Sequence, residues 1–545
     1  MRRRLGTAWA AVASTWSNGN LGRAQLGFAA AWTAEWAFTV GISVYAFRAG
    51  GASAVGVISL LRMAPAAFAA PALTPLADRW RRDRVLAATS GVRALATGAA
   101  ALLAATTHAT VAVYALAVLA SVAATLFRPV HSALLPSLCR SPYELTSANV
   151  VRGLLDSTAT LVGPAVAAGL LADGGVQAVF AFTAVASAIS AVLMLTLRPE
   201  PNVSTDETSA GIHLPDGLRA VRRGRDLSLL IGLASLQALV RGATSVFVVV
   251  LAISVLHTRE SGVGTLTAAI GAGAVIGSLA TTLLVGTRRL ARWFGVGVAL
   301  WGLPLAILAA RQTEGMAFAL LAVAGVANAL VDIGLFTLIA RRAPAEALAA
   351  VYGVLESGVA LGVAAGSLLA PLAIHVVGIR EALVVIGLLS PAAVAASWWR
   401  LRMLDRTVGD QDHEIDVLRG VDTFALLPLP AVEQLAHSLE PVQVATGATV
   451  FEEGDIGTSY FVIEAGEADV VGGGSVVATL GPGDGFGDIA LLRRTRRTAT
   501  VRARTDLQLM ALSGDRFLAV LTSYRPSAAA ASAEVEELLR RYAPR

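Results

Sequence analysis

Long apolar segments, each about as long as a membrane-spanning helix, recur along the first three quarters of the chain. The hydrocarbon core of a bilayer requires about twenty mainly apolar residues per helix. Segments of this length predict twelve spanning helices. We place them at 26–47, 54–77, 85–106, 109–129, 148–172, 176–197, 228–256, 261–286, 290–310, 315–339, 348–373 and 378–401.

A polar stretch at 199–226 interrupts the apolar pattern and divides the predicted helices into two groups of six. We therefore expect two halves, at about 20–198 and 227–402, joined by a central cytoplasmic loop. A short internal repeat supports this division. Val-Arg-Gly-Leu-Leu-Asp-Ser opens the fifth span at 151–157, and Val-Tyr-Gly-Val-Leu-Glu-Ser opens the eleventh at 351–357. Parallel repeats of this kind are found in a large class of secondary transporters.

After Arg406 the pattern changes to mixed polar sequence punctuated by glycines. Short alternating runs predict strands over 441–512, and the flanking patterns predict helices over 413–438, 514–523 and 532–541. The order of elements is helix, β-barrel, helix. This part of the chain is predicted to form a separate domain.

The composition agrees with a polytopic membrane protein, since 55% of the residues are hydrophobic and 15% are charged. The predicted fold is an all-α membrane domain of twelve helices in two six-helix halves over 1–403. An α+β domain with a β-jelly-roll barrel follows over 404–545. A single cysteine, Cys139, excludes an intramolecular disulfide and a cysteine-built zinc site.

The formal net charge of +5 would suggest a nucleic-acid partner in a soluble protein. Here the arginines cluster in alternate connections between apolar spans, so they orient the chain in a bilayer instead. We predict a multi-pass protein of the plasma membrane with both termini cytoplasmic. Its expected partners are the lipid bilayer and a small-molecule substrate, and we expect no nucleic-acid partner. The sequence does not predict an oligomeric state.

The twelve spans, the central loop and a Leu-Ala-Asp-Arg run at 76–79 resemble the Major Facilitator Superfamily over about 20–402. This resemblance implies that Asp78, Arg79 and Arg82 form a charge-linked latch between helices that favours one conformation. The alternative is that these arginines are only positive-inside anchors. A fifth-span sequence, Gly163-Pro164, is similar to a motif of the family's antiporters. With Phe127-Arg128-Pro129 nearby, it resembles the drug, macrolide and siderophore exporters, which implies proton-coupled efflux; packing alone is the alternative.

Ionisable side chains inside apolar spans are costly and are therefore candidates for function. Glu35, Asp332 and Arg241 are the candidates for proton coupling, and Glu35 is preferred because it lies midway along the first span. The alternative for Glu35 is a fixed interhelical ion pair with an arginine. Asp156 and Glu356 lie near span ends and are interpreted as structural.

An ATP-driven mechanism is disfavoured, because the chain contains no Gly-x-x-x-x-Gly-Lys-Ser/Thr pattern and no lysine to complete one. We predict a secondary transporter that is not an enzyme and has no cofactor. One alternative is a membrane-anchored receptor, in which the transporter-like helices only anchor the C-terminal domain as a ligand sensor. A gated channel is disfavoured because no pore signature is present.

The run Phe-Gly-Asp-Ile-Ala-Leu-Leu at 486–492, followed by Arg497 and Thr498, resembles the phosphate-binding cassette of cyclic-nucleotide-binding domains. The resemblance covers about 414–525. It implies that Arg497 holds a cyclic phosphate and that Asp488 stands where the family has a ribose-binding Glu. The residues expected to give close backbone approach are Gly487, Ile489 and Ala490.

The resemblance does not decide the base, because Thr498 occurs in family members that favour cGMP and in others that bind cAMP. The expected regulatory ligand is therefore cAMP or cGMP. The alternative is a degenerate domain that keeps the fold and binds nothing.

Overall fold

The chain divides into two compact units, Met1–Arg402 and Met403–Arg545, and each is described separately. The computed structural model describes most of both units. The described residues are 18–77, 80–107, 109–139, 142–197, 214–281, 289–343, 347–421, 424, 432, 435–436, 438–493 and 495–523.

Long helices make up the described part of the first unit, and the last of them extends past the boundary at Arg402. They are α1 (Gly19–Ala77), α2 (Arg82–Thr106), α3 (Thr110–Leu138), α4 (Pro142–Asp173), α5 (Gly175–Leu195), α6 (Leu214–Arg223), α7 (Arg225–Val250), α8 (Ser261–Thr281), α9 (Leu290–Leu308), α10 (Glu314–Arg342), α11 (Leu348–Val377) and α12 (Ile379–Arg419). A π-helical turn, Leu251–Val255, extends α7.

Among the described residues, eleven helices are long and apolar enough to cross a membrane. The first of these, α1, contains a break at Gly50 and Gly51, so it consists of two helical segments where two spans were predicted. Gly51 has φ +60° and ψ −152°, a conformation that only glycine adopts without strain. The polytopic helical fold is confirmed, and the count of twelve stays a prediction.

Within the first unit, α2 packs on α5 in the first half, and α7 packs on α11 in the second half. The two halves contact each other where α4 packs on α8 and where α1 packs on α11. Small residues make these approaches close. A Cβ at Gly264 of α8 would lie 2.6 Å from the carbonyl oxygen of Pro164 on α4. The helix face of Gly358, Gly362 and Gly366 packs against Ser235 and Leu239 of α7. These three glycines thus form a close-packing face of α11.

The second unit contains two four-stranded antiparallel sheets, as predicted for a jelly-roll barrel. The strands are β1 (Glu440–Val444), β2 (Thr449–Phe451), β3 (Ser459–Ala465), β4 (Ala468–Gly472), β5 (Ser475–Leu480), β6 (Gly485–Phe486), β7 (Thr500–Ala503) and β8 (Leu507–Ser513). Their orders are β1-β8-β3-β6 and β2-β7-β4-β5.

Two helices of the second unit flank these strands, α13 (Asp488–Arg493) and α14 (Gly514–Ser523). The strands predicted over 441–512 and the helix predicted over 514–523 are confirmed. The helix predicted over 532–541 lies outside the described residues, and only part of 413–438 lies within them.

Alternating side chains of the strands fill the barrel. Ile463 of β3 packs with Phe486 of β6 and Leu509 of β8, all of them buried. A second cluster surrounds Tyr460, whose ring stacks on Phe517 with 4.6 Å between centroids. Because β3 contributes to both clusters, its first residues are held firmly where they border the candidate ligand site.

Candidate functional site

A sharp turn at Gly487 leads from β6 into α13. Gly487 has φ +96°, and a Cβ at this position would lie 2.6 Å from Nη1 of Arg497. Glycine is therefore required both by the backbone conformation and by the neighbouring guanidinium. The next residues, Asp488 and Ala490, are buried, while Ile489 is half-buried.

The side chain of Arg497 is folded into the barrel and is 5% exposed. Its Nη1 donates to the carbonyl oxygen of Gly487 at 2.8 Å, and its Nη2 donates to that of Ser459 at 2.6 Å. Its Nε is buried without a hydrogen-bond partner among the described residues. The guanidinium is thus fixed in place, and its buried Nε–H is left without an acceptor among these residues.

The backbone of Arg497 is held as firmly as its side chain. Its N–H donates to the carbonyl oxygen of Asp455 at 2.8 Å, and its own carbonyl accepts from the N–H of Gly454 at 2.9 Å. Gly454 has φ +92°, so the Glu-Gly-Asp turn at 453–455 again depends on glycine. This turn therefore positions the backbone of the arginine.

Burial lowers the pKa of Arg497, while the nearby carboxylates of Asp488 and Asp455 oppose that change. Arginine nevertheless stays protonated at neutral pH, because its ordinary pKa lies far above neutrality. The site therefore presents one buried positive charge that is partly balanced by acids. An anionic oxygen that accepts from Nε–H would give this buried donor its missing partner.

Phe451 of β2 is a site residue that the sequence reasoning missed. The Cζ atom of Arg497 lies 4.1 Å from the centroid of its ring, which is within cation–π range. The signal available in the sequence was an aromatic residue shortly before the turn at Gly454. Thr498, by contrast, is exposed, and the other five predicted cassette residues lie together.

In the membrane unit, Glu35 of α1 lies between two arginines. Its Oε1 is 3.0 Å from Nη2 of Arg62, which belongs to the second segment of α1, and its Oε2 is 2.8 Å from Nη2 of Arg93 on α2. The interhelical ion pair that was the alternative for Glu35 is therefore present, and it is doubled. The coupling role of Glu35 stays a prediction.

Asp332 and Arg241, the other predicted coupling residues, interact through their charges without a direct ion pair. Asp332 accepts from Nδ2 of Asn328 at 2.8 Å. Arg128 and Asp156 of the first half pair at 2.7 Å, and their charges also act on Asp332. Acidic and basic groups from both halves thus influence one another.

Of the three predicted latch residues, Asp78 and Arg79 lie outside the described residues. Arg82 begins α2, and its Nη1 donates to the carbonyl oxygen of Ala133 on α3 at 2.7 Å. This contact ties two helices of the first half together. It is a hydrogen bond to the backbone, so Arg82 joins the helices without an acidic partner at that contact.

The fold and these sites define a polytopic membrane protein of transporter architecture with a barrel that holds a buried arginine. The profile of the Major Facilitator Superfamily matches residues 25–286 and 233–416, and that of the cyclic nucleotide-binding domain matches residues 441–524. The chain belongs to the Major Facilitator Superfamily and carries a C-terminal domain of the cyclic nucleotide-binding type.

Individual relatives match the C-terminal domain. The cAMP-dependent protein kinase regulatory subunit of Schizosaccharomyces pombe is 38% identical over 112 residues, covering 20% of this chain and 25% of that protein. The corresponding subunit of Yarrowia lipolytica is 42% identical over 90 residues, covering 16% and 24%. The chain therefore spans about a quarter of these relatives. The Toxoplasma gondii regulatory domain, solved with cAMP, is similar at 28% identity with TM-score 0.20, covering 21% of this chain and 44% of that one.

Proposed function

We propose that the protein is a secondary active transporter that exports a small molecule against proton entry and is regulated by a cyclic nucleotide. The observation that carries the regulatory part is Arg497, which is buried, fixed by two carbonyl oxygens and left with a free Nε. A degenerate domain would have no need to bury a charge with an open donor, because such groups are costly without a partner.

In the proposed complex Arg497 holds the cyclic phosphate, and the backbone at Gly487, Ile489 and Ala490 approaches it closely. Asp488 accepts from a ribose hydroxyl, and Thr498 borders the base. The named activity of the similar kinase regulatory subunits favours cAMP, and cGMP is the second candidate. Preorganisation of Arg497 lowers the entropy cost of binding, because its rotamer is already fixed before the ligand arrives.

For transport, we propose Asp332 as the principal proton carrier, together with Arg241. Among the described residues, Asp332 accepts from the amide of Asn328 and makes no direct ion pair. A proton added to Asp332 therefore breaks no ion pair, and Arg241 keeps the nearby charge of Glu356. Adding a proton to Glu35 would leave Arg62 and Arg93 without their shared counter-charge. Glu35 could take part in coupling only if another anion replaced its charge.

We further propose that the sensor domain begins near residue 404, that both termini face the cytoplasm of a plasma membrane, and that Asp78, Arg79 and Arg82 form a conformational latch. An impermeant thiol reagent on intact cells should then spare Cys139. Burial raises the pKa of Cys139 to about 11, so its thiol reacts slowly in any location. The comparison therefore needs permeabilised cells at raised pH as its reference, and strong labelling of intact cells would overturn the orientation.

The decisive experiment combines binding and flux in the full-length protein. Fluorescent cAMP and cGMP analogues are titrated onto the purified protein and onto its Arg497→Ala and Arg493→Ala variants. Proteoliposomes with an internal pH dye then report proton flux when ethidium, benzoate or chloramphenicol is supplied as a cationic, anionic or neutral probe. Regulation requires that nucleotide changes the flux and that Arg497→Ala abolishes that change.

Two outcomes favour the alternatives. Nucleotide binding without proton flux for any probe supports a membrane-anchored receptor. Proton flux without binding of either nucleotide supports a transporter with a degenerate sensor domain.

A further inference from the structure

The first half of the membrane unit contains a buried cluster of ionisable and hydroxyl side chains drawn from three helices. Glu35 and Arg62 belong to the two segments of α1, Arg93 to α2 and Ser121 to α3. Nε of Arg62 donates to Oγ of Ser121 at 2.7 Å, and its guanidinium lies 5.1 Å from the ring centroid of Phe38. The cluster is therefore built from side chains that are well fixed.

The charges of this cluster do not balance. Arg62 is 3% exposed and Arg93 is 2% exposed, and one carboxylate, Glu35, serves both. The carboxylate of Glu35 stabilises the charge of Arg62, while Arg93 adds a second positive charge beside it. One positive charge is left over inside an apolar environment, where an uncompensated charge is costly. A bound anion would remove that cost.

The cluster also has a free donor and an opening. Nε of Arg93 is buried without a hydrogen-bond partner among the described residues. Its Nη1 reaches the carbonyl oxygen of Ala31 only at 3.5 Å, the limit of a hydrogen bond. The side chain of Glu35 is 19% exposed, so the protein does not seal the cluster on that side. A monovalent anion entering beside Glu35 would meet an excess cation and an unused N–H group.

We propose that Arg62 and Arg93 form an anion-binding site and that the transported substrates are small organic carboxylates. The claim that carboxylates are transported rests on the proposed transport function, whereas the claim that they bind does not. A carboxylate matches the planar fork of arginine, and its charge would neutralise the cluster. With the substrate bound, Glu35 and the substrate carboxylate together balance the charges of the two arginines, so this site needs no proton of its own.

The test measures binding to purified full-length protein at fixed pH, with no gradient and no nucleotide. Sodium benzoate is the probe, and thermal unfolding and calorimetric titration are the readouts. Sodium chloride at equal ionic strength is the inorganic comparison, and benzylammonium is the cation of matched size. We expect benzoate to raise the melting temperature and the two comparison salts to have no effect beyond ionic strength.

We expect substitutions at Arg93 and at Glu35 to change the benzoate affinity in opposite directions. Arg93→Gln removes the excess charge and the free donor, so benzoate affinity should fall roughly tenfold to a hundredfold. Glu35→Gln removes the competing carboxylate, so affinity should rise severalfold. Arg93→Lys should bind weakly, because it keeps the charge without the fork. The control is Arg48→Gln, which changes an arginine at the far end of the α1 segment that contains Glu35. This variant should bind benzoate as the wild type does.

A fixed structural triad predicts a different pattern. In that case Arg93→Gln and Glu35→Gln both lower the melting temperature, and benzoate shifts neither variant nor the wild type, which would overturn the proposal. Equal stabilisation by chloride and benzoate would overturn the assignment to organic carboxylates. Should Arg93→Gln fail to fold, the gain of affinity in Glu35→Gln still decides. Because no gradient is used, benzoate binding without flux would leave the site intact and count against the transport proposal alone.

Discussion

The guanidinium carbon of Arg497 lies 4.1 Å from the centroid of the Phe451 ring. The ring belongs to β2, whereas the carbonyl oxygens that hold the same guanidinium belong to Gly487 and Ser459. The arginine is therefore oriented by three segments of the barrel before any ligand binds. If Arg497 binds a cyclic phosphate, then the affinity depends on a phenylalanine that does not itself need to touch the ligand.

Replacing Phe451 by leucine keeps an apolar side chain and removes the π face. A cation–π contact contributes about 0.5 to 2 kcal/mol, so affinity for the cyclic nucleotide should fall about two- to thirtyfold. Fluorescence titration of the full-length protein measures this. Phe461→Leu is the matched control, because Phe461 packs on Phe451 in the same cluster. Equal losses in both variants would show that barrel packing, and not the guanidinium contact, is responsible.

Replacing Arg497 by alanine removes the buried donor itself. The lost charge-assisted contact should cost at least about 2 kcal/mol, or about thirtyfold in nucleotide affinity. Arg493→Ala changes an exposed arginine of the same region and should cost little. Asp488→Glu should strengthen binding if Asp488 is a shortened ribose ligand. It should weaken binding if the buried pocket is fitted to the shorter side chain, so calorimetry distinguishes the two roles.

Replacing Gly487 by alanine tests the approach of the turn to Arg497. Both Gly487 and Gly483 have positive φ, +96° and +91°, so alanine at either position carries a similar backbone cost. Only at Gly487 would the added Cβ meet a neighbour, Nη1 of Arg497, whereas nothing lies within 4 Å at Gly483. Nucleotide binding should be largely lost in Gly487→Ala and retained in Gly483→Ala. Similar binding by the two variants would contradict a role for Gly487 in positioning the arginine.

A carboxylate on the surface of the barrel predicts a pH dependence. Hydrogen bonds from the backbone N–H and hydroxyl of Thr446, at 2.9 and 2.7 Å, lower the pKa of Asp506. A lowered pKa in the folded state gives stability above the ordinary value of about 3.9, which is lost as the pH falls below it. Asp506→Asn should therefore speed amide hydrogen exchange around Thr446 at pH 7. After correction for intrinsic rates, the difference from the wild type should shrink near pH 3.

Much of the fold was predictable because its signals are local. Apolar segments of fixed length predict helices, and alternating residues bounded by glycines predict strands, whatever lies far away in the chain. The break in α1 followed the same rule, since two glycines separate two apolar segments there. The cassette was predictable for a different reason, namely that its residues are contiguous and resemble a known motif.

The contacts that build the sites were not predictable in the same way. Arg62 and Arg93 are 27 and 58 residues from Glu35, and helix packing alone decides that they meet it. The sequence suggested an arginine partner for Glu35 but could not say that there would be two. Phe451 lies against Arg497 because β2 pairs with β7, and no local sequence pattern specifies the register of that pairing.

The last prediction concerns an ion pair between the two halves of the membrane unit. Arg48, near the end of the first segment of α1, donates from both Nη2 and Nε to the carboxylate of Glu260, with 2.6 Å between Nη2 and Oε2. Glu260 follows a loop in which His257 and Arg259 have positive φ, +54° and +59°, an uncommon conformation for residues other than glycine. The ion pair thus lies next to a strained segment of the backbone.

Reversing one charge should open this contact, and reversing both should restore it. An exposed pair contributes about 0.2 to 1 kcal/mol, so Arg48→Glu should speed amide exchange in residues 256–266 by up to about fivefold. The double variant Arg48→Glu with Glu260→Arg should return the exchange close to the wild-type rate, because the attraction is re-formed in the opposite sense. Glu381→Arg, an acid at the start of α12, should leave this segment unchanged. Additive effects of the two reversals would show that the pair does not hold the halves together.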